Sequence, residues 1–205
     1  MKKVLITGGK GDIAKAIIEI LCRDGNYDIA APGKHELDVT DVDGVKRYVE
    51  EYKPDILINN AGYVVPMSIN NCDVLSEKKA IDINLFGTFN CTAAVLNENP
   101  TAKVINIGSS AATKIHGTWS SYCAAKAGVV MATQCWAEDG VDAVCISPGR
   151  TATKMRKSLF PEEDQNTLLK TEDFAEIVYR AVKGKYIKGS HINVTKQNVK
   201  ELLND

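Results

Sequence analysis

Six short runs of apolar, largely β-branched residues punctuate this chain: KVLIT (3–7), YDIAA (27–31), DILINN (55–60), KVINIG (103–108), DAVCIS (142–147) and HINV (191–194). Between them stand segments whose apolar residues return every three or four positions, as in IAKAIIEILCRDG (13–25), VDGVKRYVEEY (42–52) and EDFAEIVYRAVK (172–183). A run that is apolar at consecutive positions offers no face to water, so each strand must be covered on both sides. An amphipathic helix after each strand supplies that cover and returns the chain to start the next strand in parallel. The pattern predicts an α/β fold: one doubly wound parallel sheet between two helical layers. Further helices are expected over roughly 76–97, from near Tyr122, and in the tail 196–205 behind Thr195, with the 42–52 helix begun by Thr40 or Asp41. At 205 residues, 44% of them hydrophobic, the chain suits one such domain over 1–205 better than two.

Composition narrows the function classes. Lys and Arg total 25 against 26 Asp and Glu, a net charge of −1, so no overall field gathers nucleic acid or an anionic membrane. The six cysteines show no CxxC pairing and no histidines at ligand spacing, which argues against a metal site and for free thiols in a reducing cytosol. The amino terminus has no secretory apolar segment and no stretch approaches a membrane span, so a cytoplasmic location is expected.

The first strand runs into TGGKGDIA (7–14), a glycine turn opening a helix. In a doubly wound sheet such a turn lets backbone N–H groups and a helix N-terminus meet a diphosphate, which makes Thr7, Gly8, Gly9, Lys10, Gly11, Asp12 and Ile13 candidates for holding a dinucleotide. A carboxylate at the end of the second strand would hold a ribose 2′-hydroxyl, but that strand ends in AAPGK. Lys34 just beyond it and Lys10 inside the turn offer cations to a 2′-phosphate instead, so NADP(H) is preferred, with NAD(H) admissible. The plainer reading of Lys34 is a solvated loop lysine.

Tyr122 and Lys126 stand four residues apart in SSYCAAK, the spacing of one helix face, but Tyr179 and Lys183 in YRAVK share it. Order along the chain separates the two pairs. The glycine turn, LDVTD (37–41), NNAG (59–62), NLFG (84–87), INIGS (105–109), YCAAK and SPGRTAT (147–153) together resemble the short-chain dehydrogenase/reductase family, with its single-domain Rossmann fold, over most of the chain. Tyr122 follows Ser109 by thirteen residues, the separation common in that family, whereas Tyr179 has no such serine and no following PG loop. Two family glycines are replaced by Asp12 and Ala14. The second strand passes into ELDVTD with no room for the usual second helix, a stretch more similar to the extended sugar-nucleotide reductases.

The resemblance implies a catalytic tetrad of Ser109, Tyr122, Lys126 and Asn84. Tyr122 would be the general acid–base and Lys126 would lower its pKa and bind the nicotinamide ribose. Ser109 would orient a carbonyl and Asn84 would hold a water. It further implies cofactor contacts at Asp38 and Val39, at Asn60, Ala61 and Gly62, and at Pro148, Gly149, Thr151 and Thr153, the last meeting the carboxamide. The expected function is NAD(P)(H)-dependent reduction of a carbonyl, or oxidation of a secondary alcohol, by hydride transfer. The alternative is a non-catalytic NADP-binding redox sensor or regulatory protein.

The substrate end would be walled by residues 110–121, with Lys114, His116 and Trp119, and by the segment after the PG motif. Arg150, Lys154, Arg156 and Lys157 there could clamp an anion. RTATKMR resembles reductase domains fused to cytidylyltransferases, which suggests a ketose phosphate or other anionic sugar-like small molecule. Assembly into a homodimer or homotetramer is also implied by the family.

Overall fold

The structure, a computed structural model, describes residues 1–204. Strands β1 (Lys2–Ile6), β2 (Tyr27–Ala30), β3 (Ile56–Asn59), β4 (Lys103–Ile107), β5 (Ala143–Pro148) and β6 (His191–Val194) form one all-parallel sheet in the order β2-β1-β3-β4-β5-β6. Helices α1 (Asp12–Asp24), α2 (Val42–Tyr52), α3 (Val74–Ile81), α4 (Gly87–Glu98), α5 (Ser120–Glu138), α6 (Lys154–Leu159), α7 (Thr171–Val182) and α8 (Val199–Asn204) run between and after them.

The period-two alternation of the strands divides the core. Val4, Ile6, Ile56, Ile58, Ile105, Ile107, Val144 and Ile146 pack with Ile17 and Leu21 of α1 and Phe174, Ile177 and Val178 of α7. Their sequence neighbours Leu5, Leu57, Val104 and Ala143 point to the other face, against Val45 and Val49 of α2 and Cys91 and Val95 of α4. Both faces are therefore covered, as continuous apolar strands require.

Local signals set the element ends. Asp41 caps α2, its carboxylate accepting the Gly44 N–H at 3.0 Å, and α1 stops at Gly25, whose φ of 77° is left-handed. The tail helix is shorter than expected. It begins at Val199, and Thr195 bonds Asn198 in the turn before it; Asp205 lies outside the described residues. The helix expected over 76–97 is divided: α3 passes through a wider π-type turn, Asp82–Phe86, into α4. Asn84 in that turn donates its side-chain amide to the Ala80 carbonyl at 2.7 Å, competing with the regular backbone ladder.

On the α4–α5 face two strand positions carry asparagine instead of an apolar residue. Asn59 and Asn106 are register partners across β3 and β4, and the Asn59 amide donates to Asn106 Oδ1 at 2.9 Å and to Thr92 of α4 at 3.0 Å. Asn106 in turn donates to Thr133 of α5 at 2.8 Å, and Thr133 to the Val129 carbonyl at 2.7 Å. This buried polar chain fixes α4 and α5 against the strand ends.

From β1 the chain turns outward to β2, reaches α2 through the helix-free loop 31–41, and returns on the other side of β1 as β3. At that switch point the loops beyond β1 and β3 part and leave a crevice.

Candidate active site

The crevice is a cleft of about 530 Å³ bounded by the glycine turn, the loop after β2, the Asn60–Tyr63 segment, the end of β4, α5 and the segment after β5. Two glycines shape its turn. Gly8 has a φ of 65° and passes so close to Ala61 that a Cβ would stand 2.9 Å from its Cα, while a Cβ on Gly9 would meet the Ala31 carbonyl oxygen at 2.1 Å. Thr7 works from beneath: buried, it accepts the N–H groups of Asn60 and Ala61 through Oγ1, both at 3.0 Å, and joins β1 to β3 without facing the cleft. Gly11, the residue before α1, offers no side-chain cap, so the first-turn N–H groups of the helix are left uncapped where Gly11, Asp12 and Ile13 line the cleft. Ala14, standing where a family glycine would, is fully buried in the core. A backbone cradle kept clear by glycine and an uncapped helix fit a dinucleotide diphosphate.

Beyond the glycine turn, Lys34, Leu37, Asp38 and Val39 of the loop after β2 line the wall. Burial alone would raise the Asp38 carboxyl. Hydrogen bonds from the Thr40 N–H at 3.0 Å and hydroxyl at 2.7 Å, together with Lys34, outweigh it and hold the group below its ordinary range. The two cations expected to meet a 2′-phosphate both face carboxylates: Lys34 stands 3.8 Å from Asp38, and Lys10 3.7 Å from Glu36. Such exposed pairs are worth at most about 1 kcal/mol and are readily exchanged.

At the other end Tyr122 and Lys126 share the inner face of α5, with the Lys126 ammonium 5.8 Å from the Tyr122 ring centre. Lys126 is only 5% exposed and donates to the Ile107 carbonyl at 2.9 Å, and burial pushes its pKa down to about 8. Burial pushes the Tyr122 phenol above its usual value, and a hydrogen bond with the Ser109 hydroxyl pulls the other way. The expectation that Lys126 lowers the phenol is not met in this state, because the ammonium is turned to the Ile107 carbonyl. Ser109, at the end of β4, also accepts the Ala111 N–H at 3.1 Å.

Asn84 is fully buried and is not on the cleft wall. Its Oδ1 accepts the Tyr63 N–H at 3.2 Å and its amide donates to the Tyr63 and Ala80 carbonyls, leaving that amide no proton for a water. Asn60, Ala61, Gly62, Pro148 and Thr153 line the cleft as expected. Gly149 and Thr151 do not. Gly149 bonds the Val194 carbonyl at 2.7 Å, and Thr151 is 5% exposed in a bridge to Leu169. Thr153 caps α6 through the Arg156 N–H at 3.1 Å.

The segment after β5 is a flap closed at its base. Leu169 N–H bonds the Arg150 carbonyl at 2.8 Å and Ala152 N–H the Leu169 carbonyl at 2.9 Å. Inside it Glu163 takes Arg156 at 2.6 and 2.8 Å and Arg150 at 3.1 Å, so two of the four cations that could clamp an anion are already paired within the flap. These arginines are held by an internal carboxylate, whose pKa they lower, Arg156 foremost. Phe160 carries Arg156 on its face at 4.0 Å and lies 6.0 Å from Trp119. Trp119 in turn stands edge-on to Tyr122 at 5.6 Å and beside His116 at 5.1 Å, so both loop residues are packed around the catalytic candidate. Leu37, Tyr63, Lys79, Ile83 and Met155 also border the cleft and were not anticipated. Their apolar members look like core residues in the sequence, and Lys79 like a solvated helix lysine.

A family model described as short chain dehydrogenase matches residues 34–164. The bifunctional ribulose 5-phosphate reductase/CDP-ribitol pyrophosphorylase of Haemophilus influenzae is 29% identical over 194 residues, which cover 87% of this chain and 40% of that protein. The chain thus spans less than half of that relative's length. Among solved structures, 4-hydroxyisoleucine dehydrogenase complexed with NADH superposes with a TM-score of 0.83 at 20% identity, over 95% of this chain and 96% of that one. ElxO with NADP bound gives 0.83 at 22%, over 94% and 96%. At these identities the likeness is one of fold.

Proposed function

The chain belongs to the short-chain dehydrogenase/reductase family, and on that premise we propose that it is an NADP(H)-preferring oxidoreductase reducing the ketone of a phosphorylated or other anionic sugar-like molecule. The observation that carries the reading is that Tyr122 and buried Lys126 line the same cleft as the glycine turn, with Ser109, itself off the cleft wall, hydrogen-bonded to Tyr122. When bound, the nicotinamide supplies the hydride that reaches the carbonyl carbon. Tyr122 donates the proton to the carbonyl oxygen, and its raised pKa keeps the phenol protonated and ready to do so at neutral pH. Ser109, hydrogen-bonded to Tyr122, positions that oxygen. Lys126, with ammonium protons to spare beyond the one given to the Ile107 carbonyl, would hold the nicotinamide ribose and supplies positive charge as the phenolate forms. Asn84 acts through structure, clamping the Tyr63 backbone at the cleft wall. Thr153 fixes the flap edge by capping α6 and would meet the carboxamide, and Thr7, Gly149 and Thr151 support the cleft walls from behind.

The anionic sugar-like substrate is supported by the relative described as a ribulose 5-phosphate reductase. The preference for NADP(H) rests on Lys34 and Lys10, whose loose pairs with Asp38 and Glu36 a 2′-phosphate would replace. Assembly as a homodimer or homotetramer and a cytoplasmic location complete the proposal. Tyr122→Phe is expected to lower turnover of ketose phosphate with NADPH at least a hundredfold while leaving the dissociation constant for NADPH within about twofold. Unchanged turnover in that variant would sink the catalytic assignment. Absence of turnover in the wild type across ketose phosphates, sugars and keto acids, with NADPH still bound, would favour a redox sensor.

A further inference from the structure

Five lysines border the cleft, and four of them are engaged. Lys10 faces Glu36, Lys34 faces Asp38, Lys126 donates to the Ile107 carbonyl and Lys79 lies 4.8 Å over the Tyr63 ring. The fifth is Lys154, whose ammonium has no carboxylate, carbonyl or ring partner among the described residues, although its backbone is held firmly. Its N–H donates to the Asp12 carboxylate at 2.6 Å, a bond joining positions 142 residues apart. Asp12 is the first residue of α1, so this bond seats the flap's inner edge on the helix end whose N–H groups carry no cap. The backbone of an exposed lysine that lines the cleft is thereby fixed beside a cradle suited to negative charge, with its ammonium free to reach a bound anion.

We propose that Lys154 is a binding residue for the diphosphate of the nicotinamide dinucleotide, and that Asp12 is the positioning residue that seats it. This deepens the function proposed above and rests on its reading of the cleft as a dinucleotide site. It also accounts for Asp12, an acid at a turn expected to receive an anion. Its carboxylate would repel the diphosphate, but its oxygen is committed to the flap. The repulsion is offset by the cation that the same bond delivers. The flap therefore contributes to the cofactor half of the site through its first helical residue, while Arg150 and Arg156, locked on Glu163, belong to its outer half.

The test is equilibrium titration of NADPH and NADH, followed by nicotinamide fluorescence. Both cofactors carry the diphosphate and only one the 2′-phosphate. Lys154→Met is expected to weaken both by the same factor, roughly tenfold, whereas Lys154→Arg stays within about threefold of wild type. Lys34→Ala, by contrast, weakens NADPH alone. Asp12→Asn keeps an oxygen for the Lys154 N–H and removes the charge, so it binds at least as tightly as wild type. Asp12→Ala loses the seat and binds several-fold more weakly. Binding by Lys154→Met within twofold of wild type, loss confined to NADPH, or Lys154→Arg as weak as Lys154→Met would overturn the Lys154 assignment. Equal affinities for Asp12→Ala and Asp12→Asn would overturn the role of Asp12. Failure of the wild type to bind either cofactor would remove the underlying reading of the cleft along with this one.

Discussion

Tyr122 and Lys126, and Tyr179 and Lys183, have the same spacing and the same geometry: in each pair the ammonium lies 5.8 Å from the ring centre. What differs is the third partner. Tyr179 donates to Asp24, and Lys183 stands 3.4 Å from the same carboxylate, so that pair clasps α7 to α1. Tyr122 has Ser109 and the open cleft, and Lys126 has no carboxylate. The burial of Lys126 has a measurable thermodynamic consequence. Its folded-state pKa of about 8 lies below the ordinary lysine value of 10.5, so between those values the unfolded chain binds more protons than the folded one. Stability therefore rises with pH in that window through this group, by up to about 1.4 kcal/mol per pH unit. Below pH 8 both states are protonated, and the folded state bears the full cost of the buried charge. In chemical denaturation from pH 7 to 9.5, the stability of wild type relative to Lys126→Met is expected to climb by about 1–2 kcal/mol above pH 8. A flat difference would show that the ammonium is better solvated than its 5% exposure implies.

At the scale of elements, the strands were the most legible part of the chain. Buried on both faces, they needed unbroken apolar runs, and each of the six runs became one strand of the sheet. The helix over 76–97 was less so, because the amide that opens its π-type turn belongs to Asn84, whose partner Tyr63 sits in a distant loop. The polar chain through Thr92, Asn59, Asn106 and Thr133 was illegible for the same reason: it is made by register across β3 and β4, which no single segment encodes. The flap shows the limit most clearly. Arg150 and Arg156 read as free cations until Glu163 is folded back onto them. By contrast, most glycine-turn residues and Asn60–Gly62 lie where motif order put them because they follow strands whose place in the sheet is fixed, and the Tyr122–Lys126 pair does so because α5 packs on β4 and β5. The polar chain makes its own prediction. Asn106→Ala leaves an Asn59 amide proton without a buried acceptor and takes from the Thr133 oxygen the donor it accepts, while the Thr133 hydroxyl keeps the Val129 carbonyl, and is expected to cost about 2 kcal/mol, or roughly 5 °C in Tm. In a double-mutant cycle with Thr133→Val, the two losses should overlap by about 1 kcal/mol. Strict additivity would mean that the two side chains do not act as one network.

For the whole molecule, the sheet's two faces are closed, yet the outer surface of the α4–α5 layer is not polar. Phe86 is 57% exposed, Phe89 41% and Met131 61%, and Phe89 packs edge-on against Trp136 at 5.0 Å. These residues lie on the two helices, or on the turn leading into one, that the buried Asn59–Asn106 chain holds rigid from within. Large apolar side chains gathered on a rigid face are costly to leave in water and mark an association surface. A two-fold interface brings each such residue against its copy or a neighbour, so a single charge introduced there is met twice. The assembly proposed above is therefore expected to depend on this face. If wild type assembles as proposed, Phe89→Glu should sediment as a monomer at concentrations where wild type does not, and its Tm should lack the concentration dependence expected of an assembling wild type. The cleft lies at the strand ends rather than on this outer surface, so the monomeric variant should retain NADPH binding. Persistence of the wild-type assembly in Phe89→Glu would place the subunit contact elsewhere. Loss of cofactor binding together with the assembly would mean that the α4–α5 layer depends on its copy for its own rigidity.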